Sequence, residues 1–477
     1  MPKIDRVHFI GIGGSGMSGL ALVAHDRGIK VSGSDLKQSR YMRSLLRAGV
    51  PVSVGHDAAY VQDPDIDIVV VSSAIPENNP EYQAARERGL DIWPRARMLA
   101  WLGEGRKTLA VAGTHGKTTT SAMLATALDR LGADPTFLVG GVVDGYDSTA
   151  RAGKGEYYVV EADESDGSFT WLNPTLAIVT NIETDHLDHY ADLGEIIESF
   201  TSFLGKMSPE GTLVIWSETA GLAGLIGAGG RDLCLYGAGD CGGAGLVCEP
   251  KGIHDFDVVF ADGQRCSLRL PVSPGFHNML NATAVMGALD ALGFDRDAAA
   301  AALSSYSGVR RRFDHLGEAG GVTVVDDYGH HPTEIAATLR AASELGYHRV
   351  HVLFQPHRYS RTQALLGDFA RAFDDADTIS FMDIYSAGET PIPGINGEAL
   401  VEALLGHDPG ADARFIRHRA DVPDDMARIA EPGDLIITMG AGDVTTLGSF
   451  ILEALEAREC EGQRERGESR ERGDVSL

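Results

Sequence analysis

Gly113-Thr114-His115-Gly116-Lys117-Thr118 is the run of residues best equipped for chemistry in this chain. A short apolar β-run, Thr108–Ala112, leads into it, and a helix-compatible segment, Thr119 to about Leu131, follows. Strand, glycine-rich turn and helix in that order build a phosphate cradle. Gly113 and Gly116 let backbone N–H groups turn inward and approach an anion closely. The helix N-terminus adds its unpaired N–H groups and its positive dipole end, which brings in Thr119. Lys117 is spaced to reach the β/γ-phosphates and the Thr118 hydroxyl to hold Mg²⁺. The loop departs from G-x-x-x-x-G-K-[ST], because Val111 stands where that pattern has its first glycine.

Two further strand ends carry acids. Tyr157–Glu161 runs into Glu161-Ala162-Asp163-Glu164-Ser165-Asp166, and Leu176–Thr180 runs into Asn181-Ile182-Glu183-Thr184-Asp185-His186-Leu187-Asp188. Four carboxylates within six residues are costly unless a cation sits beside them. Beside a phosphate loop they point to a metal–nucleotide centre, and the spacing does not suit zinc. His277-Asn278-Met279-Leu280-Asn281-Ala282 opens a helix whose two asparagine amides suit the edge of a purine. Residues 211–270 are β-rich and carry little further signal.

A second glycine run stands near the N-terminus. The strand 5–10 enters Gly11-Ile12-Gly13-Gly14-Ser15-Gly16, a helix-like MSGLALVAHDRG follows, and the next strand ends at Gly33-Ser34-Asp35. This is G-x-G-x-x-G in its proper context, with an acid about 20 residues on. The glycines report close approach of a nucleotide diphosphate to a helix N-terminus, NAD being one such ligand among several. Gly55-His56 and the strand Ile66–Val71, ending at Ser72-Ser73-Ala74-Ile75, place small polar residues where ligand-facing loops leave a parallel sheet.

The C-terminal third repeats that logic. Arg310-Arg311-Arg312-Phe313-Asp314 is a basic cluster in an acidic chain, suited to reach a transferring phosphoryl group. Strand Val322–Val325 ends at Asp326-Asp327-Tyr328-Gly329-His330-His331-Pro332, Val350–Phe354 at Gln355-Pro356-His357-Arg358-Tyr359-Ser360-Arg361, and Leu435–Met439 at Gly440-Ala441-Gly442-Asp443. Arg358 and Arg361 can clamp a carboxylate bidentately.

The elements that must position these residues are those of a multidomain α/β protein. A chain of 477 residues exceeds one ordinary core and suggests about three domains. No apolar run reaches the ~18 residues of a membrane helix, and MPKIDRVHFIGIGG lacks the pattern of a signal peptide; a cytoplasmic location is expected. A net charge of −27 excludes non-specific nucleic-acid binding as the main activity. Five cysteines without a C-x-x-C pair read as reduced structural thiols. From about Ala457 the mixed-charge tail has no apolar periodicity and is expected to be disordered.

The blocks HFIGIGGSGMSGLA, SSAIPENNPE, AVAGTHGKTTT, EADESDGSF, TNIETDHLDHY, HNMLNA, RRFDHLG, DDYGHHPTEI, QPHRYSRT and TMGAGD occur in order over about residues 7–450. Together they resemble the Mur ligases. The resemblance implies an α/β protein of three domains: a Rossmann-like UDP-sugar domain (1–105), a central P-loop ATPase-type domain with a mostly parallel sheet (106–314) and a Rossmann-like closing domain (315–456), before the tail (457–477). It implies a monomer or weak homodimer without nucleic-acid or membrane partners.

The implied reaction activates the carboxylate of UDP-N-acetylmuramate with ATP as an acyl phosphate, which the amine of L-alanine then attacks to give an amide. ATP would lie on Gly113–Thr119, Asn278, Asn281, Arg312 and Asp327. Lys117 would hold its phosphates and Arg312 the γ-phosphate, while Thr118, Glu161 and His186 serve Mg²⁺. Tyr328, His330, Arg358 and Arg361 would bind the incoming amino acid or the intermediate. The UDP-sugar would take Gly11, Gly13, Gly14, Ser15, Gly16, Met17, Asp35, His56, Ser72, Ser73, Ala74 and Ile75. The carbamoylated lysine of sister ligases has no counterpart in EIIESFTSFLGKM, whose first lysine is Lys206; this fits the L-alanine-adding branch. A dehydrogenase leaves the Gly-Lys-Thr loop and DDYGHHP unexplained. A UDP-sugar-binding regulator has no need of Lys117, Glu161 and His186 together.

Overall fold

The computed structural model describes residues 3–39, 41–165, 167–185, 189–219, 221–227, 232–239 and 245–473. Three sheets carry the chain, as the α/β reading required. The first consists of β1 (Arg6–Ile10), β2 (Lys30–Asp35), β3 (Val52–Val54), β4 (Ile68–Val71) and β5 (Asp91–Pro94), all parallel in the order β3-β2-β1-β4-β5. Parallel pairing needs crossover connections, which is why turn and helix segments separate these strands. The order reverses between β1 and β4, so the loops after Ile10 and Val71 open a crevice at the carboxyl edge.

The second sheet has ten strands: β6 (Lys107–Ala112), β7 (Thr136–Val143), β8 (Ser148–Arg151), β9 (Tyr157–Glu161), β10 (Leu176–Val179), β11 (Thr212–Trp216), β12 (Asp232–Gly237), β13 (Gly245–Pro250), β14 (Asp255–Val259) and β15 (Arg265–Arg269). Their order is β15-β14-β13-β12-β11-β10-β6-β9-β7-β8. The pairings from β13 across to β7 are parallel, and antiparallel strands close both edges. The weakly informative stretch 211–270 is therefore a continuation of the ATPase-type sheet. At its centre, Val111 pairs with Glu161 and Ala112 with Val179. That register delivers the glycine loop and both acidic strand ends to one edge.

The third sheet comprises β16 (Asp314–Ala319), β17 (Val322–Asp327), β18 (Val350–Phe354), β19 (Thr378–Phe381), β20 (Asp412–Phe415) and β21 (Leu435–Met439), ordered β16-β17-β21-β18-β19-β20 and parallel except for the β16–β17 hairpin. Strands β17, β21 and β18 are adjacent, so their three polar loops emerge side by side.

By compactness the chain forms two units, one of residues 1–251, 255–270 and 278–309, the other of residues 252–254, 271–277 and 310–477. In the first unit the two sheets share one core. Phe9, Met17, Leu20, Trp93 and Met98 pack in the same cluster as Ala110, Leu138, Ala150, Tyr158 and Val160. Gly19, on helix Ser15–Asp26, brings that helix so close to the second sheet that a Cβ would lie 3.2 Å from Ala150 Cβ. Tyr158 Oη donates to Leu99 O at 2.8 Å. The boundary near residue 105 divides the sheets without dividing the core.

Arg310–Asp314, placed at the end of the central domain from the sequence, lie in the second unit, where Phe313 and Arg311 are bonded to Asp327 and to the loop after β21. The tail also differs from expectation, since helix Leu447–Gly473 runs through most of it. Leu455 is buried in the core of that unit, and Arg458 donates to Ala430 O at 2.7 Å beyond helix Val422–Ile429.

Cys234, Cys248, Cys266 and Cys460 are free thiols; Cys241 is outside the described residues. Among the described residues no helix is long and apolar enough to cross a membrane.

Candidate active site

The loop after β6 is fixed by contacts that only glycine permits. Gly113 has φ +137°, and a Cβ there would come within 2.0 Å of Thr180 Oγ1. Gly116 has φ +81°, and its Cβ would meet Asn281 Oδ1 at 2.7 Å. The strand end after β10 clamps the loop. Thr114 N donates to Asn181 O at 2.9 Å, His115 N to Asn181 Oδ1 at 2.8 Å, and Glu183 N to Thr114 Oγ1 at 2.9 Å. Thr114 and His115 thus hold the loop's shape with their own N–H groups. The first turn of helix Lys117–Arg130 supplies the donors for an anion.

Lys117 Nζ is folded onto the loop, 2.6 Å from Gly113 O and 3.0 Å from Thr114 O, and pairs with Glu164 Oε1 at 2.8 Å. Burial acts to lower its pKa, but Glu164, Asp163 and Glu161 outweigh burial and raise it, so the cation persists. Thr118 Oγ1 donates to Glu161 Oε1 at 3.0 Å, and Gly140 N donates to Glu161 Oε2 at 2.7 Å. Burial pushes the Glu161 carboxyl up despite Lys117. Asp163 goes the other way: burial would raise it, but Lys117, Ser165 and Arg95 hold it below the usual range. A hydroxyl and a half-buried carboxylate side by side, where a Cβ on Gly140 would lie 2.7 Å from Glu161 Oε2, suit a hard divalent cation. His186, Asp188 and Asp166 lie outside the described residues.

Asn278 and Asn281 are buried one turn apart on helix Phe276–Ala291, and Asn281 Nδ2 donates to Asn278 Oδ1 at 3.3 Å. Asn281 reaches Gly116 itself, so the pair adjoins the phosphate loop. Lys206 donates to Thr170 O.

The N-terminal glycine loop is built in the same unit. Ser34 O accepts Gly11 N at 2.8 Å and Ile12 N at 3.0 Å, and Asp35 Oδ2 accepts Gly13 N at 2.9 Å. Gly14 and Ser15 are exposed at the start of helix Ser15–Asp26, while Gly16 and Met17 follow on its first turn. Gly11, with φ +84°, approaches the turn Ser72–Ile75: its Cβ would lie 3.0 Å from Ser72 Cβ and 3.3 Å from Ile75 Cγ1. Ser73 and Ala74 are exposed beside it. Gly11–Met17, Asp35 and Ser72–Ile75 thus flank the order reversal at the carboxyl edge of the first sheet.

His56 is tied more tightly than its sequence suggested. Its Nδ1 is 2.7 Å from Glu81 Oε1, while the other Glu81 oxygen is 2.7 Å from His8 Nε2, and Ser34 Oγ donates to both oxygens at 2.6 and 2.8 Å. Burial would raise the Glu81 carboxyl, but His8, Ser34 and His56 hold it down. This buried anion braces Ser34, whose carbonyl holds the glycine loop.

In the second unit, Arg311 and Arg312 divide the work of the basic cluster. Arg311, at φ +65°, donates to Gly440 O at 2.6 Å and lies 3.4 Å from the buried Asp326. It is a strut between strand-end loops. Arg312 lies 3.6 Å from Glu334 and 5.1 Å from the Tyr328 ring, with about a quarter of its side chain exposed (24%). Asp327 accepts Phe313 N at 2.8 Å and Gly329 N at 2.7 Å, so both oxygens brace the backbone around Arg312. Burial raises its carboxyl to about 6, against Arg312 and those two N–H groups.

His330 Nδ1 is 3.1 Å from Tyr328 O and 3.3 Å from Glu334. His357 lies 6.0 Å from His330 and stacks on Tyr385 at 5.7 Å. Burial, then His330, Arg361 and Arg358, push its imidazole down to about 4. Arg358 caps helix Tyr359–Ala364 at φ +68°, a conformation fixed by its N–H to Tyr385 O at 2.9 Å and by Thr362 Oγ1 on its carbonyl at 2.8 Å. It thereby shares a short helix with Arg361.

Three family models match the chain in order: the Mur ligase family catalytic domain over residues 6–107, the Mur ligase middle domain over 111–289, and the Mur ligase glutamate ligase domain over 311–442. The chain belongs to the Mur ligase family. Among Mur ligases, a UDP-N-acetylmuramate–L-alanine ligase of Anaeromyxobacter sp. (strain Fw109-5) is 45% identical over 459 residues, 95% of this chain and 98% of that one. The UDP-N-acetylmuramate–alanine ligase MurC of Thermotoga maritima superimposes with TM-score 0.78 at 29% identity, over 95% of this chain and 99% of that one. A murein peptide ligase of Psychrobacter arcticus gives 0.70 at 26%, over 94% and 98%.

Sequence reasoning passed over three groups of this Mur ligase. Glu81 was hidden because its partners are 25, 47 and 73 residues away. His357 stood in a quoted motif, yet only the packing brings the burial and the neighbouring His330, Arg361 and Arg358 that push its imidazole down. Arg95 lies in a helix without any motif, and its position beside Gly16 and Asp163 is a matter of tertiary structure.

Proposed function

We propose that this Mur ligase joins L-alanine to the carboxylate of UDP-N-acetylmuramate at the expense of ATP, through an acyl phosphate. The observation that carries the chemistry is the Lys117–Thr118–Glu161 cluster, built into one unit with a second, diphosphate-type glycine loop. The choice of acceptor rests on the 45% identity to the L-alanine-adding relative.

Each residue has a part. The first loop, with Ser72–Ile75, holds the UDP portion, and the N–H groups of the Lys117 helix take the ATP phosphates. Lys117 leaves Glu164 and the loop carbonyls for the phosphates. Thr118 and Glu161 would hold Mg²⁺, which supplies charge neutralisation as the substrate carboxylate approaches the triphosphate. A carboxylate oxygen then bonds the γ-phosphorus as the bond to ADP breaks. Arg312 neutralises the transferring group. Arg358 and Arg361 bind the amino-acid carboxylate, and the amine reacts as the free base, its proton having passed to solvent. The freed amine bonds the acyl carbon, and the tetrahedral intermediate expels phosphate to leave the amide.

Phosphate release from ATP with Mg²⁺ and UDP-N-acetylmuramate tests this, with L-alanine, glycine, L-serine or the tripeptide L-Ala-γ-D-Glu-meso-diaminopimelate as acceptor. Turnover with L-alanine supports the reading. Turnover with the tripeptide alone moves the protein to the peptide-recycling branch.

A further inference from the structure

Arg95 opens helix Arg95–Leu102 in the first unit, and its guanidinium lies between the first glycine loop and the acidic end of β9. On one side, Nη1 is 3.0 Å from the point a Cβ on Gly16 would occupy. On the other, Nη2 is 3.6 Å from Asp163 Oδ2, at the acidic end of β9. That distance is beyond hydrogen-bond range. The arginine side chain keeps 27% of its surface exposed and the aspartate 40%, so the pair is loose and half solvated.

The place matters because of what must pass through it. If the first loop binds a UDP-sugar, the substrate runs from residues 11–16 to residues 113–118, where its carboxylate meets the γ-phosphate. The far end of that path carries Glu161, Asp163 and Glu164, all repulsive to a carboxylate. A cation on the near side is needed to hold the substrate anion against them. Arginine suits this, since a planar guanidinium grips two oxygens at once. Exchanging Asp163 for a substrate oxyanion also leaves the local charge balance of the arginine unchanged.

We propose that Arg95 is a substrate-binding and positioning residue that receives an anionic group of the UDP-sugar between the first glycine loop and the acidic end of β9. The inference rests on the UDP-sugar reading of the first loop. The anion is either the muramoyl carboxylate or the diphosphate, two sources of the same oxyanion chemistry.

Calorimetric titration of the full-length protein with UDP, UDP-N-acetylglucosamine and UDP-N-acetylmuramate separates them. For Arg95→Ala the affinity for UDP-N-acetylmuramate falls about 10- to 100-fold, the range for a charge-assisted contact. Arg95→Lys recovers part of it, and the KM for UDP-N-acetylmuramate rises while that for ATP is unchanged. If the carboxylate is the partner, UDP and UDP-N-acetylglucosamine bind both variants as they bind the parent. If the diphosphate is the partner, all three ligands weaken alike.

Unchanged affinity for all three ligands in Arg95→Ala overturns the proposal. So does loss of Mg·ADP binding in both variants, which would make Arg95 a structural brace. Failure of the unmodified protein to bind any of the three removes the UDP-sugar reading, and the proposal with it.

Discussion

The Lys117 ammonium and the Glu164 carboxylate, 2.8 Å apart, form an ion pair at the phosphate loop in which both side chains are almost fully buried. The cation meant for ATP is thus neutralised by the protein until the nucleotide arrives. Breaking a buried pair by removing one partner costs about 3 kcal/mol or more. Glu164→Gln should therefore lower the melting temperature, and Mg·ADP should restore more stability to the variant than to the parent, because its phosphates replace the lost counter-charge. Thermal unfolding with and without Mg·ADP checks this. Equal stabilisation by the nucleotide in both proteins would refute the exchange.

Gly113 and Gly116 are held by geometry as well as by conformation. Gly113→Ala forces a Cβ to within 2.0 Å of Thr180 Oγ1 at φ +137°. A shift of the loop away from β10 follows, and ATP binding should weaken at least tenfold. Equilibrium binding of a fluorescent ADP analogue measures it. Thr180→Ala, which removes the clashing atom, should return part of the loss.

Acid should weaken the C-terminal unit through its neutral histidines. His277 and His357 sit at about 4, in each case chiefly because of burial. Unfolded, they titrate near 6.5. Above about pH 6.5 neither state carries the protons. Between about 6.5 and 4 only the unfolded chain does, so each histidine removes up to about 1.4 kcal/mol of stability per pH unit on acidification. Asp327 opposes this below about pH 6, since its raised pKa lets the folded state take up a proton first. Melting temperatures should fall from pH 7 to pH 5, and His357→Asn should shrink that fall. An identical acid limb in the variant would show that His357 is not held neutral.

Glu81 anchors four hydrogen bonds from His8, His56 and Ser34. Glu81→Ala strands those groups and should cost about 3 kcal/mol. Through Ser34, which carries the Gly11 and Ile12 N–H groups, the same change should weaken UDP binding and spare Mg·ADP binding. Calorimetry with the two ligands distinguishes a local effect on the first loop from general destabilisation.

What the sequence revealed was local. A glycine run between a strand and a helix announces itself within about twelve residues, so the Gly11–Gly16 and Gly113–Thr118 loops and the polar ends of β17, β18 and β21 were legible. So was the sheet class, because βα alternation dictates parallel pairing. Contacts across long separations were not legible. Asp327 reads as a ligand residue in DDYGHHP, and its bonds to Phe313 N and Gly329 N appear only in the fold. Residue type alone does not separate Arg311 from Arg312, while in space one is a strut and the other keeps its head partly exposed. The helix Leu447–Gly473 was not legible beyond about Ala457, where apolar periodicity ends and the Arg458 contact with Ala430 O exists only in the fold.

The most direct test of the central claim is isotopic. UDP-N-acetylmuramate labelled with ¹⁸O in its lactyl carboxylate is incubated with ATP, Mg²⁺ and L-alanine, and the released phosphate is analysed by mass spectrometry. Acyl-phosphate chemistry transfers one carboxylate oxygen to each phosphate formed, and Lys117→Ala reduces the amount of phosphate by at least about 100-fold. Phosphate released at the normal rate but free of ¹⁸O would show that the carboxylate is never phosphorylated, and the proposed mechanism would fall.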